Sequence, residues 1–156
     1  MASAQASQKL FARAKIEMFY HMTTSNATEQ SVKAGATTTT WKDMRDYEGF
    51  AVLAMTALLS GTGLVEVSIY AADDDSGTNA TEIKTSGAVL ANAVGDYIVE
   101  ECTAEEIAQI SEAAGFNLRY VAAYVDCQHN DDEVAVTYIR HGAKFPQADL
   151  TADMIS

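Results

Sequence analysis

Beyond residue 50 the chain is dominated by runs in which apolar and polar positions alternate with a period of two. Residues 50–59 are almost continuously apolar, which predicts a strand covered on both faces. A turn at Ser60-Gly61-Thr62-Gly63 follows. In residues 64–71, Val65, Val67 and Ile69 then oppose Glu66, Ser68 and Tyr70, as in a half-buried strand. The two runs and their glycine turn predict a β-hairpin. Asp73-Asp74-Asp75-Ser76-Gly77 reads as a polar loop. Short strands are expected around Ile83 and at Tyr97-Ile98-Val99-Glu100, with residues 88–94 a strand or a bulged connection.

One helix is predicted. Thr103 suits an N-cap, Glu106 stands three residues on as a capping box requires, and Ile107, Ile110, Ala113 and Ala114 give an apolar face. Gly115 ends it. Two further alternating runs close the pattern. In residues 118–127, Val121, Ala123 and Val125 oppose Tyr120, Ala122 and Tyr124. In residues 134–139, Val134, Val136 and Tyr138 oppose Ala135, Thr137 and Ile139, after a turn at residues 129–132. The sum is a mainly β chain: a β-sandwich or jelly-roll-like body with one short helix and an extended N-terminal arm.

The N-terminal region has a different character. Leu10, Ala14, Met18 and Met22 recur every four residues, a loose helical pattern better read as an arm that orders on a partner. Residues 23–40 are low in complexity and end in four threonines, as in a linker or extended strap. The division expected is an arm and linker over 1–40, a β-rich body over 41–146 and a tail over 147–156.

Charge narrows the function. The chain of 156 residues carries a formal net charge of −12. In residues 1–33, Lys9, Arg13, Lys15 and Lys33 face only Glu17 and Glu29, a net of +2, so the remainder carries −14. A body this acidic lacks the clustered cations that phosphate binding needs, which argues against nucleic acid and anionic membrane partners. No secretion signal or membrane-spanning run is expected.

Chemistry-bearing motifs are sparse. Cys102 and Cys127 form no Cys-x-x-Cys pair and read as buried free thiols. His21, His129 and His141 share no ligand spacing. A Cys127–His129 nucleophile would need a third group to orient the base. Asp73, Asp75 and Glu82 suggest calcium, but Gly77 falls where a ligand should stand, so a solvated turn is preferred. Glu100-Glu101 and Glu105-Glu106 are paired carboxylates whose places, a strand end and a helix start, account for them without acid–base work. Trp41, Tyr47 and Phe50 read as packing at the start of the body, with sugar stacking the alternative. The Asn26 and Asn79 glycosylation triplets carry little weight without a secretion signal. The expectation is no catalytic, cofactor-binding or metal residue, no cofactor, and no enzyme.

The order of several pieces resembles a family of small structural proteins of tailed-phage heads. These are Asp46-Tyr47-Glu48-Gly49-Phe50, the run 65–70 with its loop Asp73-Asp74-Asp75-Ser76-Gly77, Arg119-Tyr120-Val121, and Arg140-His141-Gly142-Ala143, spanning residues 41–146. The chain departs from the family pattern in having Asn79-Ala80-Thr81 where an aromatic is usual, and in its arm. The resemblance implies a virion (capsid) protein made in the host cytoplasm, a decoration or cement protein that binds the major capsid protein, most often as a homotrimer. A head-completion, neck or tail component of the same particle is the nearest alternative. A carbohydrate-binding β-sandwich, using Tyr70, Tyr120, Tyr124 and Tyr138, is the alternative from another class.

Overall fold

The computed structural model describes residues 14–23, 41–58, 63–127 and 132–144. The strands are β1 (Ala14–Thr23), β2 (Lys42–Asp43), β3 (Gly49–Leu58), β4 (Gly63–Ala72), β5 (Thr81–Thr85), β6 (Val89–Ala91), β7 (Tyr97–Thr103), β8 (Tyr120–Cys127) and β9 (Glu133–His141), with helix α1 (Ala104–Ala114) between β7 and β8. They form two antiparallel sheets. The first runs β1-β9-β3-β7; the second runs β2-β8-β4-β5, with the short β6 also on β4.

This order has a simple generator. Strand β1 pairs with β9, β2 with β8, β3 with β7 and β4 with β5. The chain is thus an antiparallel ribbon folded at its middle. Rolling the ribbon brings β9 against β3 and β8 against β4. A ribbon of eight strands rolled this way into two facing sheets is a jelly roll. β6 is the addition, continuing the edge that β5 begins: β5 lies along Ser68–Ala71 of β4, and β6 along Gly63–Val65.

Three sequence expectations need correction. β3 and β4 do not form a hairpin, because they lie in opposite sheets. Period two identifies a strand and its faces but says nothing about its neighbour. The segment read as an arm holds a strand where it is described: Ala14–Thr23 runs antiparallel to β9, and the loose period of four is not helical there. Within it Ile16 and Met18 alternate with Lys15 and Glu17, the competing period of two. Finally, of the run at 50–59 the described part, 50–58, is fully buried along one face only, as described below.

The core lies between the sheets. Phe50, Val52 and Ala54 of β3 and Val134, Val136 and Tyr138 of β9 face Val65, Val67 and Ile69 of β4 and Val121, Ala123 and Val125 of β8, all buried. Phe50 and Tyr138 meet edge to face at 5.0 Å between ring centres. The Tyr138 hydroxyl spans to the other sheet and accepts the Ala123 N–H at 2.7 Å, beyond the point where the two-residue β2 stops supplying partners to β8. Trp41, Met44 and Tyr47 close one end, in keeping with the packing reading of Trp41 and Tyr47. Arg140, also buried there, lies over the Tyr47 ring and donates to the Asp43 carbonyl, tying β9 to β2. Gly77, at φ +82°, leaves room for Trp41: a Cβ there would stand 2.8 Å from Cζ2 of the indole.

Helix α1 carries the chain from the first sheet to the second. The Thr103 hydroxyl accepts the Glu106 N–H, and the Glu106 carboxylate accepts the Thr103 N–H, completing the predicted capping box. Gly115, at φ +73°, terminates the helix as predicted. Ile107 is its buried anchor.

Candidate functional site

The outer face of the first sheet is largely apolar on β3, β7 and β9, and no other described element lies over it. Register places Leu53 of β3 between Thr137 of β9 and Val99 of β7, Met55 between Ala135 and Tyr97, and Ala51 between Ile139 and Glu101. Paired residues share a face, so these side chains all point away from the core. Met55 is 44 % exposed, Val99 52 % and Tyr97 70 %. The continuous hydrophobicity of residues 50–59 is therefore not double burial. One half packs the core and the other half forms a surface. At one margin His141 bonds Glu101 at 3.3 Å. Its ring lies across Gly49, where a Cβ would stand only 2.3 Å from Cε1 of the imidazole.

The apolar surface continues around the end of the sandwich. Leu58, Leu64, Val89, Leu90 and Val94 are also exposed there, so eight of the nine exposed large hydrophobics among the described residues gather in this region, Phe116 being the exception. A cleft of about 250 Å³ lies between β6 and β7, walled by Val65, Val89, Leu90, Tyr97, Ile98 and Val134. The turn joining β6 to β7 is pinned to β3 through Thr56. The buried Thr56 hydroxyl bonds the Ala93 and Asp96 carbonyls, and its backbone exchanges bonds with Asp96 and Gly95. The Asp96 carboxylate in turn accepts the N–H groups of Asn92 and Ala93. Val94, 62 % exposed, is thus displayed on an ordered turn.

The outer face of the second sheet is different. Tyr70, Tyr120 and Tyr124 share it, interleaved with Ser68, Ala72 and Ala122, and Glu66 and Asp126 stand at one end. The tyrosines are half-buried and engaged with their neighbours. Tyr70 and Tyr124 meet edge to face at 6.1 Å, the Tyr70 hydroxyl donates to Glu82, and Arg119 covers one face of Tyr120. Tyr138, the fourth aromatic of the carbohydrate reading, belongs to the core. This face is not a flat open platform of the kind ring stacking uses.

The remaining candidates occupy separate places. Cys102 and Cys127 are buried free thiols in different sheets. Burial, with the Glu106 carboxylate nearby, pushes the Cys102 thiol up to about 12. Burial, with Asp132 and Asp126, pushes Cys127 up to about 11. Both are the reverse of an activated nucleophile. His129, His21 and the Asn26 triplet lie outside the residues whose side chains are described. The aspartate loop satisfies itself: Asp74 accepts from Ser76 and Thr78, which hold its carboxyl below the usual range, and Asp73 accepts from Asn79 and the Asn117 N–H. Among the described residues no three His, Cys, Asp or Glu side chains gather as a metal site would need. Of the paired carboxylates, Glu106 serves the helix cap and Glu101 bonds His141. Sequence reasoning missed the open apolar face. The signal was present in Leu53, Met55, Tyr97 and Val99, but only the layer arrangement tells burial from display.

No protein-family model matches the chain, and no curated protein matches it. Among solved structures it is similar to a chain from the structure of infectious bursal disease virus, Gx strain, with 11 % identity and a TM-score of 0.40, over 86 % of this chain and 35 % of that one. The chain therefore spans about a third of that chain's length. A likeness this loose carries no argument about fold or role, and the fold assignment rests on the strand order above.

Proposed function

We propose that this chain is a structural protein of a virus particle that binds and stabilises the assembled capsid shell, as a decoration or cement protein does. The observation that carries the reading is the open apolar face on β3, β7 and β9. Contiguous apolar surface on an otherwise acidic domain marks a protein-contact surface. Full withdrawal of a large apolar side chain from water is worth about 1.5–3 kcal/mol. Covering Leu53, Met55, Tyr97 and Val99, which are in part buried already, supplies a fraction of that for each, against the cost of association. The jelly roll is a shared architecture of capsid and lectin domains, so it agrees with the reading without deciding it. The ordered tailed-phage motifs supply the rest.

The mechanism is thermodynamic. A protein that binds the closed shell and not its loose subunits shifts the equilibrium toward the shell by mass action. The partner is the major capsid protein, contacted over the outer face of the first sheet.

The test adds the purified chain to shells of the phage that encodes it and follows co-sedimentation and the temperature at which the shells come apart. The expected result is binding with a raised disruption temperature, reduced at least tenfold in affinity by Val99→Glu, the cost of burying one unpaired charge in the contact. Binding unaffected by Val99→Glu and by Met55→Glu removes this face from the account.

A further inference from the structure

We propose that β6 is a contact between two copies of this chain, in which the Val89–Ala91 strand of one pairs antiparallel with the same strand of the other about a two-fold axis. Strand β6 is bonded to β4 along one edge, Leu64 standing opposite Leu90 and Val65 opposite Val89. Among the described residues no strand lies on its other edge. An edge of this kind recruits another strand unless it is protected by a charged side chain, proline or a covering element. Residues 86–95 contain no lysine, no proline and no charge at all. The side chains around the edge are exposed and apolar: Leu64 41 %, Leu90 54 % and Val94 62 %.

Charge identifies the occupant. Two copies, each at −12, repel wherever their ordinary surfaces meet. Their approach is least opposed over a surface without charge. Residues 63–65 and 86–95 hold no charged side chain, and the carboxylate of Asp96, which follows, is taken by the Asn92 and Ala93 N–H groups. A charged partner would find no complementary group here, whereas a second copy brings the same uncharged apolar strand. Pairing about a two-fold axis uses both open edges at once, so the assembly closes at two chains and does not grow into a fibre. The three-fold ring that the tailed-phage resemblance implies would need a different contact and would leave this edge open. The pinned turn at residues 92–96 holds Val94 in place before the second copy arrives. The inference stands independently of shell binding, because its readout needs no shell.

The experiment is sedimentation equilibrium of the full chain over a range of concentrations. The expected mass is twice 16.7 kDa for the native chain and for Leu90→Met, falling to 16.7 kDa for Leu90→Glu and for Val94→Glu. Far-ultraviolet circular dichroism should be unchanged in all of them. Two independent exposed positions are used so that misfolding of one variant leaves the other informative. A native chain that sediments as one copy throughout, an assembly of three, or a pair that both glutamate variants leave intact would overturn the proposal.

Discussion

Single side chains join the two sheets, and their loss should be measurable. Tyr138 reaches from β9 to the Ala123 N–H of β8 across the core. Tyr138→Phe keeps the ring against Phe50 and strands that donor, so it should lower unfolding free energy by about 1–3 kcal/mol, read by urea denaturation. Gly77→Ala meets both a left-handed backbone and the Trp41 ring, which cannot move aside inside the core. The expected loss is again about 1–3 kcal/mol, visible as a lower thermal midpoint. The cysteines give a different readout. With thiols pushed up to about 12 and about 11 and side chains sealed in the core, neither should react with iodoacetamide at pH 8 in the folded protein, and both should react in urea. Intact mass before and after unfolding checks this. The sequence already suggested inert thiols and packing aromatics, because residue type and alternation carry that information. It did not reveal the Tyr138 to Ala123 bond, which depends on how far β2 extends.

Among the elements, α1 was the most legible, since capping is local: Thr103, Glu106 and Gly115 each act within a few residues of one another. Its cap also couples stability to pH. Bonds from the Thr103 backbone and hydroxyl hold the Glu106 carboxyl below the ordinary glutamate value. A depressed carboxylate contributes stability that is present above its unfolded value and is lost as pH falls through its folded one. Thr103→Ala should therefore cost about 1 kcal/mol at neutral pH. It should also flatten the decline in stability below the ordinary glutamate value, measured by denaturation at a series of acidic pH values. The strands were legible as strands, and their partners were not. β1 with β9 and β2 with β8 pair residues from opposite ends of the chain, and no local pattern encodes such a choice. β3 shows the deeper ambiguity. An apolar run fits a strand buried on both faces or one that keeps a face for a partner, and only the layers around it decide between them.

At the scale of the whole molecule, a rolled ribbon of eight strands places self-engaged tyrosines on one outer face and largely apolar groups on the other and around one end. A charge of −12 makes most of the surface repulsive toward other copies, so contact between copies is least opposed where charge is absent. That division is the ground of the proposed shell-binding role, and it was only half visible beforehand. Acidity and β content were plain in the composition, but the gathering of eight exposed hydrophobics from four separate stretches needed the fold. The most direct measurement of the proposed role is the protein composition, by quantitative mass spectrometry, of purified particles of a virus whose genome carries this sequence. The account predicts this chain in amounts comparable with the coat protein. Particles that are complete, stable and free of it would contradict the account.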